Sequence, residues 1–114
     1  MGNKEHLQAI ANQIERVVSD YISAQEKIEN YRINEIKEVS IKEFKEEPNL
    51  KDLFTGKSST AFVTGNIRLY YWLGENSSLK LDLSFEAKNL NIYYNSETDQ
   101  FIVDNHFQFV PLIK

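Results

Sequence analysis

Asp104-x-His106 is the pair in this chain whose types and spacing come nearest to a reactive centre. Two residues apart on a strand, the carboxylate and the imidazole share a face. There they could start a metal site, or the Asp could orient a His base. No nucleophile with a signature of its own lies near them, and the other histidine, His6, is remote in sequence. Short motifs match by accident often enough that the pair reads first as part of a solvated strand face. A different chemistry is carried by Arg68, Tyr70 and Trp72, with Phe62 earlier on the same parity. These types anchor protein interfaces, because each buries a large area and Arg, Tyr and Trp keep a polar handle.

Two further patterns fail on geometry. Glu86-Ala87-Lys88, with Asp82 before it, resembles the acidic-x-Lys ending of metal-dependent nuclease sites. On one strand Asp82 and Glu86 stand about 13 Å apart at about 3.3 Å per residue, too far to share a magnesium ion. The strand 60–73 offers no acid in their place. Gly56-Lys57-Ser58 would need a glycine at position 51, and a helix after it, to cradle a phosphate. Position 51 is Lys51, and a strand pattern follows. No metal or cofactor is expected.

The elements that must position these residues follow from periodicity. Leu7, Ile10, Ile14, Val17, Tyr21, Ala24, Ile28 and Tyr31 step by three and four, which predicts a helix over 4–31 with Asn3 as N-cap. That stripe suits packing on a sheet; its seven-residue repeat would also suit a coiled-coil seam with a second copy. Over 33–44 the pattern is ambiguous. Val39 and Ile41 alternate as in a strand, while Ile33, Ile36 and Phe44 would also fit a helix. An edge strand is the preferred reading, since interleaved Lys and Glu discourage stray pairing. Asn49 should cap a helical turn over 49–54.

From Thr60 onward the signal is period two. Strands are expected over 60–73, 79–87, 90–95 and 101–110, with turns at Gly74-Glu75-Asn76-Ser77 and Asn95-Ser96-Glu97-Thr98-Asp99. Gly65 is read as a bulge. At Lys88-Asn89 the parity slips by one, so a bulge or corner belongs there. Ala61, Val63, Ile67, Leu69, Leu81, Phe107 and Phe109 share the face turned to the helix. Arg68, Tyr70 and Trp72 share the other, with His106 and Gln108 at its rim. That outer face is either open or covered by the segment 32–54. The whole reads as one α+β domain, residues 1–114, with a long N-terminal helix on one face of a roughly four-stranded antiparallel meander. The order of elements is similar to the outline of cystatin-like and other small α+β folds, an outline that does not fix function.

Composition narrows the classes of function. Hydrophobic residues make up 41% and charged residues 26%, a globular balance that argues against disorder. Nine basic residues face eleven acidic ones up to Lys57, and four face six beyond it, so neither half is a polycationic arm. Duplex nucleic acid is therefore not an expected partner. There is no cysteine, which removes disulfides and thiolate chemistry. No apolar run approaches a membrane span and no signal segment is seen, so a cytoplasmic location away from membranes is expected. The expected function is a non-catalytic protein-binding module of inhibitor or immunity type, such as a mobile element might carry. It would contact its partner through Phe62, Arg68, Tyr70, Trp72, His106 and Gln108. One alternative is a small-ligand or catalytic pocket between helix and sheet, with Asp104 and His106 pointing into it. Another is a homodimerisation module, or an accessory domain of a longer chain.

Overall fold

The computed structural model of the chain describes residues 2–112. Helix α1 spans Gly2–Ser23 and is followed by a short strand β1 (Lys27–Ile28) and a long one, β2 (Tyr31–Glu46). A single helical turn, α2 (Leu50–Phe54), leads into β3 (Ser59–Trp72) and β4 (Ser78–Asn95), and β5 (Gln100–Val103) and β6 (Gln108–Leu112) close the chain. The strands form one antiparallel sheet in the order β1-β2-β3-β4-β5, with β6 also paired to β4. The molecule is α+β, a long helix on an antiparallel meander, with six strands where about four were expected.

The helix stops well short of Tyr31. Ile28 and Tyr31, which continue its three-and-four spacing, instead face each other across a two-residue hairpin turn. Glu29 enters that turn with φ 54, a conformation no helix interior allows. Ile28 is thereby folded back into the core, 5% exposed. Asn3 falls inside the helix, and its side chain lies outside the described residues. The buried stripe of α1 is Ile10, Ile14, Val18 and Ile22, a spacing of four, with Ala11 beside it. Ile10 and Ile14 are fully enclosed by the chain's own sheet, so the seven-residue stripe leaves no free seam for a coiled coil.

The ambiguity over 33–44 has a physical cause. Segment β2 is a strand, but its register against β3 shifts four times, between Ile33 and Glu35, Ile36 and Glu38, Ile41 and Glu43, and Phe44 and Glu46. Each shift sets two residues of β2 against one step of β3, as in a β-bulge. Inward residues therefore recur at Ile33, Ile36, Val39, Ile41 and Phe44, opposite Tyr71, Leu69, Ile67, Gly65 and Val63. A bulged strand thus imitates helical spacing.

Strand β3 holds its parity throughout. Ala61, Val63, Ile67 and Leu69 are buried, and Gly65 stays in register between Ile41 and Phe85 rather than forming a bulge of its own. A Cβ at Gly65 would lie 2.3 Å from the Ser40 carbonyl oxygen and 2.7 Å from the Phe85 ring, so close approach is what requires glycine there. The expected parity slip sits at Asn89, φ 60, where β4 gains a residue against β3. The segments 79–87 and 90–95 accordingly form one continuous strand. The segment 101–110 instead divides. Asp104 donates its N–H to the Asn91 carbonyl at 2.8 Å and turns the chain, and β6 then docks on β4 with Phe109 opposite Ala87 and Pro111 opposite Phe85.

Helix α1 lies on the inward face. His6 meets the rings of Phe54 and Phe101 edge-on at one end, and Tyr21 tilts against Phe107 and Phe109 at the other. Between them the Glu15 carboxylate accepts the Ile41 N–H at 2.9 Å, tying the helix to a half-buried stretch of β2. Asn49 caps α2 by accepting the Asp52 N–H at 3.1 Å, and Leu53 enters the core.

Candidate functional site

The face of β2, β3 and β4 turned away from α1 holds Phe62, Arg68, Tyr70 and Trp72, four of the six residues singled out for binding. Its rows follow from register. Arg68 stands between Glu38 and Asp82, Tyr70 between Glu35 and Lys80, and Asn66 between Ser40 and Ser84. None of the outward residues of β3 or β4 is buried. The segment 32–54 does not cover them, because its strand lies beside β3 in the same sheet. Trp72 is 39% exposed at the end of β3, opposite Ser78.

Polar contacts organise this face. Arg68 donates through Nε to Asp82 Oδ1 at 3.1 Å, and Lys80 Nζ stands 3.9 Å from Asp82 Oδ2. Ser84 donates its hydroxyl to Asn66 Oδ1 at 3.2 Å. Around them a shallow concavity of about 350 Å³ is lined by Glu38, Ser40, Asn66, Arg68, Asp82 and Ser84. Lys37 Nζ sits 5.6 Å from the Tyr70 ring centre, and Lys88 Nζ 5.4 Å from that of Phe62, both within cation–π range. On β2, the hydrogen bond from Lys45 to Glu43 raises the Lys45 pKa, with the Glu43 charge acting in the same direction. Arg68, Lys80, Lys37, Lys88 and Lys45 are thus each engaged with an acid or a ring, and exposed pairs of this kind contribute little to stability.

The six residues do not form one patch. Phe62 and Trp72 are ten residues apart on β3, roughly 33 Å at about 3.3 Å per residue. Gln108 lies opposite Lys88, at the Phe62 end. Arg68, Tyr70 and Trp72 gather toward the other end, on alternate residues of one strand. His106 belongs to the turn between β5 and β6, its side chain 89% exposed, with Nδ1 3.0 Å from Asp104 Oδ1. Asp104 also accepts the His106 backbone N–H at 3.0 Å, and chiefly that bond holds its carboxyl below the usual range. The pair faces solvent, not a space between helix and sheet. Among the described residues no group of three or more His, Asp or Glu side chains is placed to hold a metal ion.

One feature lies outside the expected site. Leu73 is 61% and Leu79 47% exposed, beside Trp72 at the tip of the β3–β4 hairpin. Both have inward parity, yet each stands well open to solvent. A 22-residue helix spans roughly 33 Å at about 1.5 Å per residue. The 14-residue strand β3 reaches roughly 46 Å at about 3.3 Å per residue. The end of the helix, visible in sequence only through the hairpin at Glu29-Asn30, would have disclosed this excess. Comparison of the chain with known protein families, with curated proteins and with solved structures finds no match in any of the three.

Proposed function

We propose that this chain is a non-catalytic protein-binding module that occludes a protein partner with the outward face of its sheet, in the manner of an inhibitor or immunity protein. The observation that carries the reading is the placement of Arg68, Tyr70 and Trp72 on alternate residues of β3, on a face with no buried residue. Arg, Tyr and Trp are enriched among the few interface residues that supply most binding energy. The neighbouring charges on Glu38, Asp82 and Lys80 would form a polar rim that fixes orientation and excludes wrong partners. Phe62 and Gln108 belong to the far end of the same face, and a partner reaching them would have to span most of β3.

The test is affinity capture from the source cell with the native chain and with a Tyr70→Ala, Trp72→Ala double variant. The variant is expected to fold as the native chain does and to lose the captured protein, since truncating such an anchor costs about 2 kcal/mol or more. Undiminished capture of the same protein by the double variant would remove these anchors from the interface.

A further inference from the structure

We propose that two copies of this chain pair edge to edge through Leu79-Lys80-Leu81-Asp82-Leu83 of β4, antiparallel about a two-fold axis at Leu81, joining two sheets into one. The starting observation is an unfilled edge. On one side, β4 pairs with β3 along most of its length. On the other, β5 pairs with 92–95 and β6 with 84–88, and among the described residues nothing pairs with 78–83. Among the described residues, that stretch therefore has no strand partner for its outer backbone N–H and C=O groups, a template for another strand. It is also regular, with unbroken register from Ser78 to Ala87. The far edge of β2 is the opposite case, shifted four times and crowded with Lys and Glu, the usual defence against pairing.

The side chains specify the occupant. In an antiparallel pair centred on Leu81, Lys80 lies opposite Asp82 of the second copy, and Asp82 opposite its Lys80. Leu81 meets Leu81, and Leu79 meets Leu83, all on the inward face. Directly opposite residues of unlike charge attract across an antiparallel pair, and like charges repel. Centring on Lys80 would oppose two lysines, and centring on Asp82 two aspartates, so the charges select one register. That register spans five residues and stops before Ser84, where Leu112 of β6 already sits. It covers Leu79, now 47% exposed, with apolar side chains. It also sets the two outward faces side by side. The pairing does not depend on the partner reading above: a monomer would leave that reading intact, and failed capture would leave the dimer intact.

The absence of cysteine makes the register directly readable. In the proposed pair the two Leu81 positions have Cα atoms about 4.5–5.5 Å apart, within disulfide range. The two Leu79 positions lie about 13 Å apart along the strand at about 3.3 Å per residue. Mild oxidation of Leu81→Cys should give a disulfide-linked dimer, and Leu79→Cys should not. Sedimentation equilibrium adds a charge test. The native chain should dimerise, while Lys80→Asp and Asp82→Lys should each be monomeric alone and pair when mixed. Circular dichroism checks that each variant folds. A native chain that stays monomeric at hundreds of micromolar, equal cross-linking at both cysteine positions, or no pairing of the mixed charge variants would overturn the proposal.

Discussion

Strands β3 and β4 each have two halves, and the halves behave differently. Under α1, the inward residues Val63, Ile67, Leu69, Leu83, Phe85 and Ala87 are no more than 5% exposed. Beyond the helix the same parity continues through Tyr71 and Leu73, and back through Leu79 and Leu81. Leu73 there is 61% exposed. The pattern is the same and the environment is not. Period two decides which side of a sheet a residue takes. What covers that side is decided by the length of another element, here a helix that ends at Ser23 while the strands run on. The projecting half of a molecule 52 Å long supplies none of its fully buried side chains. It also carries Trp72, Tyr70 and the open stretch of β4.

The sharpest way to break this comparison is to remove volume from the covered half. Phe85 is fully buried and stacks on Phe109, with ring centres 5.5 Å apart. Phe85→Ala should cost about 3–5 kcal/mol, read from chemical denaturation, and an effect below 1 kcal/mol would show that the site collapses freely. A smaller loss is expected from adding volume at the same level. Gly65→Ala sets a methyl against the Ser40 carbonyl oxygen, which belongs to strand backbone and can give way only if β2 shifts. Overpacking of this kind costs about 1–3 kcal/mol, and the amide signals of Ser40 and Ile41 should move with it.

The two halves can also be compared with a single substitution. Leu69 and Leu73 share a parity and a strand direction, four residues apart. Leu69→Ala removes a fully buried side chain and should cost about 2–5 kcal/mol. Leu73→Ala should stay within about 0.5 kcal/mol, as surface changes do. Thermal unfolding of the two variants side by side would settle it, and equal losses would mean that the projecting half is covered after all.

Much of this architecture is legible in sequence wherever the determinants are local. The turn at Gly74-Glu75-Asn76-Ser77, where Leu73 donates to the Ser77 carbonyl, needs only neighbouring residues. So do the Asn49 cap and the turn in which Asn95 accepts the Glu97 N–H. The bulge at Asn89 announces itself as a parity slip. What misleads is structure set at a distance. Ile28 and Tyr31 look like a last helical turn because a two-residue hairpin reproduces the same spacing. Repeated bulges give β2 a helix-like period because β3 dictates where it must turn inward. The candidate site divides along the same line. Which face Arg68, Tyr70 and Trp72 occupy follows from alternation. That Phe62 stands ten residues from Trp72 follows from the same count. The place of Gln108 opposite Lys88, and the departure of His106 from the sheet, depend on the break at Asp104, which no period reveals.

The smallest effect belongs to that break, and it has a sign. The turn at Asp104 delivers Phe107 and Phe109 to Tyr21, so it serves the covered half from outside it. Its hinge is a carboxylate accepting two bonds from His106, one from the backbone N–H and one from the ring. Because those bonds favour the charged form, Asp104 titrates lower in the folded chain than in the unfolded one. Its contribution is therefore complete above the unfolded value, about 3.9, and is lost as pH falls through the lower folded value. From pH 5 to 8 the turn should hold, and below about pH 4 the His106 amide resonance should shift first, before the Phe109 ring contacts loosen. Asp104→Asn should produce the same His106 amide shift at neutral pH and flatten its acid titration. If the amide titrates unchanged in that variant, the turn is held by the Asp104 N–H to Asn91 bond alone, and the covered half owes nothing to charge.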